Sequence, residues 1–342
     1  MSLPQTMQAA RIHGLGGPEQ LRIQTVPVPE PGPGQVLIRI ESASVNFSDV
    51  KRRRGDAYPF PTVVPFVPGG EVAGTVAALG AGVDGPAVGS PVFALVGGDG
   101  QGGYAQFALA YAPQVTPLPP GLDADRASVL IVAGATAALI LRQVARLRAG
   151  QSILVPAASG AVGSYAVQLA WQLGARLIVA GVSSTAKGEA ARALGAHVSV
   201  DYTRPGWADE VVRATDGRGV DVLLEASGGE LLAQGLRALA PFGQAIVYGA
   251  ASGQAATLDP ATMERFFYAP APNQSLVAFN LGGWFLGRPQ EAQAALSELI
   301  GLLIQGIVKT PAIRTLPLAA AAEAHRLLES RQTSGKLVLK PW

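Results

Sequence analysis

Residues 151–181 constrain the fold of this chain more than any other stretch. Residues 152–155 form a short apolar, β-branched run typical of a buried strand, and residues 176–180 form a second one. Between them, the glycine-containing turn 158–163 leads into apolar residues at helical spacing, and Gly174 follows the helix. Strand, turn, helix and strand make the first half of a dinucleotide-binding fold, in which the helix N-terminus binds a pyrophosphate. A tight turn without a ligand would use the same glycines, so the prediction depends on the two flanking strands.

The pattern outside this stretch predicts two domains, since 342 residues are too many for one core. Strands and helices alternate from residue 151 to residue 248, which predicts a doubly wound parallel sheet. Residues 7–125 are rich in Gly, Pro and Val and predict an irregular β domain. We predict a long loop over 265–280, helices over 289–305 and 318–330, and a closing strand over 336–339. The fold class is therefore α/β, with the nucleotide domain inserted into a β-rich domain.

Several classes of protein are disfavoured by composition. The chain has no cysteine, which removes disulfides, thiolate zinc sites and cysteine nucleophiles and fits a reducing compartment such as the cytoplasm. A net charge of +2 gives no field that would attract nucleic acid. The apolar runs are too short for a membrane span, and the N-terminus lacks a secretory pattern. The basic run Lys51–Arg54 is expected to be the solvated face of a short helix.

Seven motifs occur in one order along the chain: Asn46–Asp49, Gly69–Gly74, Gly102–Ala105, Ala157–Gly163, Lys187 with Leu194–Ala196, Asp201–Tyr202 and Ser334–Leu339. Together they resemble the medium-chain dehydrogenase/reductase superfamily, and within it the zinc-free quinone oxidoreductases. The resemblance implies a GroES-like catalytic domain at 1–126 and 267–342 around a Rossmann domain at 127–266, with a cofactor cleft between them. It also implies a homodimer that acts on a small molecule.

The cofactor is expected to be NADPH. An NAD-binding unit places an acid roughly 20 residues after the glycine turn, and no acid occurs between Arg176 and Lys187. Ser183, Ser184 and Lys187 stand there instead, although the serines also suit a helix cap. The resemblance places Lys187 and Tyr202, and with less support Arg331, around the 2′-phosphate.

Further cofactor contacts are predicted at two places. The phosphate turn supplies Ser159, Gly160, Ala161, Val162 and Gly163, with Ala161 at a position that is usually glycine in the family. Strand ends and the aromatic segment supply Ser227, Tyr248, Gly249, Phe279 and Asn280 to the nicotinamide. Thr136 also faces the nicotinamide by resemblance, although a buried helical hydroxyl is an equal interpretation.

Substrate chemistry is expected to depend on neutral donors. Asn46 and Tyr58 are the candidates by family position, with an exposed loop aromatic as the alternative for Tyr58. Glu71 is expected to be structural, as are the three histidines, and no metal site is expected because Gly70 stands where zinc-dependent relatives have a histidine.

The predicted activity is reduction of a quinone or an α,β-unsaturated carbonyl. The alternatives are an enoyl-thioester reductase and a cofactor-binding protein with little turnover. A zinc alcohol dehydrogenase is disfavoured by the missing ligands.

Overall fold

The computed structural model describes residues 3–254, 257–269 and 272–342. It divides into two compact units, of which unit 1 contains residues 1–132 and 312–342 and unit 2 contains residues 133–311. The chain therefore leaves unit 1 once and returns to it near its end, as the prediction of an inserted domain requires.

Unit 1 is built mainly from antiparallel strands. Its strands are β1 (Thr6–Arg11), β2 (Arg22–Pro27), β3 (Gln35–Val45), β4 (Glu71–Leu79), β5 (Pro91–Leu95), β6 (Phe107–Tyr111), β7 (Val115–Pro117), β14 (Ile313–Pro317) and β15 (Lys336–Lys340). Its helices are α1 (Phe47–Arg54), α2 (Ala124–Ala127) and α11 (Ala321–Glu329). The large sheet has the order β14-β15-β3-β4-β5-β7, with β6 also paired to β3. The long strand β3 therefore lies at the centre of the unit.

Unit 2 is the predicted parallel sheet with helices. Its strands are β8 (Ser152–Pro156), β9 (Leu177–Val182), β10 (Val198–Asp201), β11 (Val220–Glu225), β12 (Leu239–Val247) and β13 (Ser275–Ala278). Its helices are α3 (Thr136–Leu139), α4 (Ala161–Gln172), α5 (Thr185–Ala193), α6 (Trp207–Ala214), α7 (Glu230–Arg237), α8 (Pro260–Tyr268), α9 (Leu281–Gly287) and α10 (Pro289–Ile304). All pairs in the sheet are parallel, in the order β10-β9-β8-β11-β12-β13. The α/β prediction is confirmed, and the order reverses after β8, the strand that leads into the glycine turn.

The unit boundaries differ from the predicted domain boundaries. Unit 2 begins at residue 133 and not 127, and it ends at residue 311 and not 266. The reason for the second difference is β13, which pairs with β12 and so extends the parallel sheet. Helix α10 also belongs to this unit, because Leu299 packs within van der Waals distance of Gly134.

The expected long loop over 265–280 is wrong. Helix α8 covers its beginning and strand β13 covers most of its end. The helix starts with Asp259 as its N-cap, whose carboxylate accepts a hydrogen bond from Thr262 N at 2.8 Å. The sequence suggested a loop here because the segment contains prolines and aromatic residues, yet proline is also common at the first position of a helix.

The apolar segment Ala124–Val144 is helical throughout but irregular. Two π-helical turns, Leu130–Ala135 and Ile140–Val144, flank α3. By length and composition alone it could cross a membrane, yet 78% of its most apolar window is buried inside the structure. Such burial is typical of a core helix.

The basic run at 51–54 is a solvated face only in part, since Arg54 is exposed and Lys51 is half-buried. Arg52 and Arg53 are only 1% and 0% exposed. Arg52 lies over the Phe66 ring at 4.2 Å and donates to Asp99 O at 2.7 Å and to Asp99 Oδ2 at 3.1 Å. Arg53 Nη2 donates to Glu329 Oε1 at 2.7 Å. The two guanidinium groups therefore anchor α1 within unit 1.

Candidate active site

The predicted phosphate turn joins β8 to α4 as expected. Gly160 precedes the helix in an extended conformation and offers no side chain to cap it. The first-turn N–H groups of Ala161, Val162 and Gly163 have no acceptor among the residues that the structure describes. They form an anion-binding helix N-terminus. A Cβ at Gly163 would lie 2.4 Å from Ala157 O, so only glycine permits this close approach of helix to turn.

Four of the predicted 2′-phosphate residues, Ser183, Ser184, Lys187 and Tyr202, follow the ends of β9 and β10. Lys187 Nζ donates to Ser183 Oγ at 3.0 Å, and burial lowers the pKa of Lys187. Ser184 accepts from Lys187 N at 3.4 Å and is the N-cap of α5. Tyr202 follows β10, and its ring lies beside Gly181 of β9. The nearby carboxylate of Asp201 is engaged by Thr203, whose N–H donates to it at 3.0 Å. The arrangement thus presents hydroxyl and ammonium donors.

The predicted nicotinamide residues also lie at the carboxyl ends of parallel strands. Ser227 follows β11, Tyr248 and Gly249 follow β12, and Phe279 and Asn280 follow β13. The Phe279 ring is buried and stacks on Trp284 with ring centroids 6.3 Å apart. Asn280 is exposed and caps α9 by accepting from Gly283 N at 3.0 Å. Such sheets bind ligands at this edge.

Glu225 was not predicted and holds the loop after β11. Its side chain is 1% exposed and accepts hydrogen bonds from Ser227 N and, at 3.0 Å, from Gly228 N. Burial raises the pKa of Glu225. Burial and the charge of Glu225 together raise the pKa of the Tyr248 phenol. An acid at the end of an apolar strand was the available sequence signal, because it cannot stay buried without donors.

The two remaining predicted cofactor residues belong to different units. Thr136 is buried at the start of α3, directly after a π-helical turn, in a helix that packs on α4. Arg331 is exposed after α11 in unit 1, with a φ of 57°. The structure therefore places Thr136 in the same unit as the phosphate turn and Arg331 in the other unit.

Asn46 directly follows β3 and is 6% exposed. Its Oδ1 accepts a hydrogen bond from Lys336 Nζ, and its Nδ2 donates to Ser44 Oγ at 3.0 Å. Ser44 in turn donates to Glu71 Oε2 at 2.7 Å. Glu71 Oε1 accepts hydrogen bonds from Ile131 N at 2.6 Å and from Val132 N at 3.0 Å. These contacts agree with the expected structural role of Glu71.

Asp49 fixes the start of α1 beside Asn46. Its carboxylate accepts from Asn46 N at 2.8 Å and from Tyr104 Oη at 3.1 Å. Burial raises the pKa of Asp49 from 3.8 to about 6. Tyr104 also contacts His325 Nε2 at 3.1 Å, and Arg53 Nε donates to His325 Nδ1 at 3.1 Å. Because Arg53 can only donate, His325 carries its proton on Nε2 and donates to Tyr104.

Tyr58 is half-buried and not simply an exposed loop aromatic. Its phenol interacts with the Ser48 side chain, and Arg52 lies 5.3 Å from the centre of its ring. Burial, followed by the charge of Asp49, raises the pKa of the Tyr58 phenol. Tyr58 therefore lies beside α1, the helix that Asn46 precedes.

Known proteins resemble this arrangement over the whole chain. Residues 32–120 match the alcohol dehydrogenase GroES-like domain, and residues 194–339 match the zinc-binding dehydrogenase family. A 2-haloacrylate reductase from Burkholderia sp. is 34% identical, over 98% of this chain and 99% of the relative. The chain belongs to the medium-chain dehydrogenase/reductase superfamily.

Two further members of the superfamily agree with this assignment. A quinone oxidoreductase from Pseudomonas aeruginosa is 34% identical, over 95% of this chain and 97% of the relative. A mycobacterial protein solved in complex with NADPH is 33% identical and has a TM-score of 0.88, over 98% of this chain and 100% of that one. The predicted membership is confirmed, and the chain is an oxidoreductase.

The superfamily includes zinc enzymes, but the residues of this chain do not fit a zinc site. Cysteine is absent from the sequence, and Gly70 precedes Glu71 where a histidine ligand would be needed. Glu71 is already engaged by three donors. Within residues 3–254, 257–269 and 272–342, no three His, Asp or Glu side chains form a group that could hold a metal.

The residues do fit the nicotinamide nucleotide that the superfamily implies. Unit 2 combines an uncapped helix N-terminus after a glycine turn with a lysine and hydroxyl groups at the end of the next strand. These donor types match a pyrophosphate and a 2′-phosphate respectively.

Proposed function

We propose that this chain is an NADPH-dependent, zinc-independent reductase that transfers hydride to a quinone or an α,β-unsaturated carbonyl. The observation that carries the proposal is the Asn46 carboxamide, a neutral donor that Ser44 and Lys336 hold in a buried position. Relatives named quinone oxidoreductase and 2-haloacrylate reductase support the same substrate class, because both names denote electron-poor conjugated acceptors.

NADPH is the cofactor, and when bound it supplies the hydride. Lys187, Ser183 and Tyr202 bind its 2′-phosphate, and the first turn of α4 binds its pyrophosphate. The ends of β11, β12 and β13 receive the nicotinamide. The phosphate turn and the lysine therefore determine affinity and choice of nucleotide, whereas the strand ends determine the orientation of the ring.

Substrate activation needs a donor for the developing negative charge. Hydride addition to a conjugated acceptor spreads charge to its carbonyl oxygen, and a preorganised N–H stabilises that charge. Asn46 supplies this N–H, and the Tyr58 phenol beside α1 is a second donor. Alcohol oxidation would require a group that stabilises an alkoxide. No such metal ligand set occurs in the described part of the chain.

The experiment is a comparison of steady-state rates before and after chelation. NADPH oxidation is measured with a panel of quinones, enones, a 2-haloacrylate and an enoyl thioester, and NADP-linked oxidation is measured with primary and secondary alcohols. We expect turnover of quinones or enones that survives chelation. Turnover confined to enoyl thioesters, alcohol oxidation alone, loss of activity with stoichiometric zinc, or NADPH binding without turnover would each contradict the proposal.

We also place the enzyme in the cytoplasm and assign it a homodimeric state. Strand β13 supports the second assignment, because it is the last strand of its sheet and has one unpaired edge within the described residues. Leu276 on this strand is 40% exposed, and Phe267 and Tyr268 at the end of the preceding helix α8 are 61% and 81% exposed. An unpaired strand edge that carries an exposed apolar residue is a typical interface for a second strand.

A further inference from the structure

Asn46 and Lys336 are brought together by the pairing of β3 with β15. In this antiparallel ladder Val45 lies opposite Leu337 and Ser44 opposite Val338. One step further along the same register places Asn46 opposite Lys336, on the same face of the sheet as Ser44. The contact between residues 290 positions apart is therefore set by the backbone.

The contact also fixes which way the Asn46 carboxamide faces. An ammonium group has only donors, so the atom that it touches must be the amide oxygen. The donors then run in one direction: Lys336 to Asn46, Asn46 to Ser44, and Ser44 to the Glu71 carboxylate. A chain that begins at a cation and ends at an anion polarises each bond in it.

One N–H of Asn46 is left over. Ser44 accepts one of the two, and no other residue that the structure describes accepts the second. Lys336 is 5% exposed, and its hydrogen bond to Asn46 is the one its ammonium makes within the described chain. Burial lowers the pKa of Lys336, while the charges of Glu71 and Asp49 oppose that change.

We propose that Lys336 is a positioning residue for Asn46: it holds the amide oxygen, so that the carboxamide presents an N–H, and not its oxygen, to the substrate carbonyl. Without Lys336 the amide could turn over and direct a lone pair at the developing negative charge. The inference rests on the proposed function, because it assigns Lys336 to the same donor site.

A double-mutant cycle tests whether Lys336 acts through Asn46. The variants are Lys336→Met, Lys336→Gln, Asn46→Ala and the Lys336→Met/Asn46→Ala pair, with kcat and KM measured for the best acceptor of the panel at saturating NADPH. Lys340→Met is the matched control, since Lys340 lies on the same strand but pairs with Asp125 at 2.6 Å. We expect Lys336→Met to lower kcat about tenfold, and Lys336→Gln less, because its amide can still donate. We expect no further loss from Lys336→Met in the Asn46→Ala background, and wild-type kcat from Lys340→Met.

A second measurement needs neither cofactor nor turnover. The sequence has three asparagines, so selective ¹⁵N-asparagine labelling gives three side-chain amide pairs, and Asn46→Ala assigns the pair of interest. We expect slow hydrogen exchange of the Asn46 amide in the wild type and in Lys340→Met, and faster exchange in Lys336→Met.

The outcomes separate the two proposals. If the wild type reduces no acceptor, the proposed function fails, and the exchange measurement still decides whether Lys336 holds the amide. Losses of kcat that multiply in the double variant would overturn the inference, since Lys336 would then act independently of Asn46. Unchanged kcat or unchanged exchange in Lys336→Met would overturn it too. If Lys336→Met does not fold, Lys336→Gln supplies the same comparison.

Discussion

At the scale of single residues, we propose that Lys187 determines the choice between the two nicotinamide nucleotides. A charge-assisted hydrogen bond to the 2′-phosphate contributes about 1.5–3 kcal/mol, or roughly tenfold to a hundredfold in affinity. We expect Lys187→Ala to weaken NADPH binding by that factor and to leave NADH binding unchanged, as measured by fluorescence titration. Lys309→Ala, at an exposed lysine of the same unit, is the control. Equal losses for both nucleotides would mean that Lys187 is a structural residue.

Asn46 and Tyr58 should contribute unequally to turnover. Asn46 is 6% exposed and held by two partners, whereas Tyr58 is only half-buried and water can replace its hydroxyl. We expect Asn46→Ala to lower kcat about a hundredfold and Tyr58→Phe less than about tenfold, with NADPH affinity unchanged in both. Steady-state kinetics with a quinone and an enone measure this. A larger loss for Tyr58→Phe would make the phenol the principal donor.

The placement of residues was predictable from the sequence where their partners are close along the chain. It was not predictable where their partners are distant in sequence. Ser183, Ser184 and Lys187 lie within one turn, so their grouping follows from the strand and helix periods. The burial of Arg52 and Arg53 depends on acceptors such as Asp99 and Glu329, which no local pattern reveals. Lys336 was visible only as part of a motif, because its partner Asn46 is far away in the sequence.

At the scale of elements, the junction of β8 with α4 should tolerate no side chain at Gly163. A Cβ there would lie 2.4 Å from Ala157 O and 2.7 Å from Ala158 Cα. We expect Gly163→Ala to lower the free energy of unfolding by about 1–3 kcal/mol and to weaken NADPH binding. Gly301→Ala in α10 has open space and should instead stabilise by about 0.5–1 kcal/mol. Denaturant titration compares them, and equal effects would contradict the close approach.

The start of α1 should depend on pH through Asp49. Burial raises the pKa of Asp49 from 3.8 to about 6, so between these values the folded state binds the proton and the unfolded state does not. The contribution of Asp49 to the free energy of unfolding therefore falls as pH rises from 3.8 to about 6, and it stays lower at higher pH. The difference in unfolding free energy between Asp49→Asn and wild type should therefore shift in favour of the variant by about 2 kcal/mol between pH 4 and pH 7.

The control for this pH dependence is Asp84→Asn, at an exposed aspartate. Other ionisable groups around Asp49 are Tyr104, His325, Arg53 and Lys336. Burial lowers the pKa of His325 to about 3, an effect of opposite sign that both chains share. A difference between wild type and Asp49→Asn that is equal at both pH values would show that Asp49 is already ionised at pH 4.

At the scale of the whole molecule, the free edge of β13 should carry the interface between two subunits. We expect light scattering to give twice the chain mass for the wild type. Leu276→Lys should favour monomers, because Leu276 is 40% exposed on this strand and a charge there opposes pairing. Val88→Lys, at an exposed apolar residue of unit 1, is the control. A monomeric wild type, or a Leu276→Lys variant that remains dimeric, would place any interface elsewhere.

The architecture was predictable where the hydrophobic periodicity was strong. It was not predictable at β13, which adds to the edge of the parallel sheet after the alternation of strands and helices has stopped. The alternation from β8 to β12 predicted the parallel sheet correctly. Strand β13 has four residues and follows a segment rich in aromatic residues and proline, so it carries no clear strand signal. Because β13 pairs with β12 and α10 also belongs to unit 2, that unit ends at residue 311 and not at residue 266.

The return of the chain to unit 1 has a consequence for biosynthesis. A nascent chain completes every residue of unit 2 before it makes β14 and β15. Until then β3 lacks the neighbour that β15 provides, and Asn46 lacks Lys336. Synthesis that stops near residue 311 would yield a product with a bare strand edge in unit 1, the kind of edge that recruits other chains. Such a product would keep the strands of unit 2 yet lack Lys336, the group that we propose holds the Asn46 carboxamide.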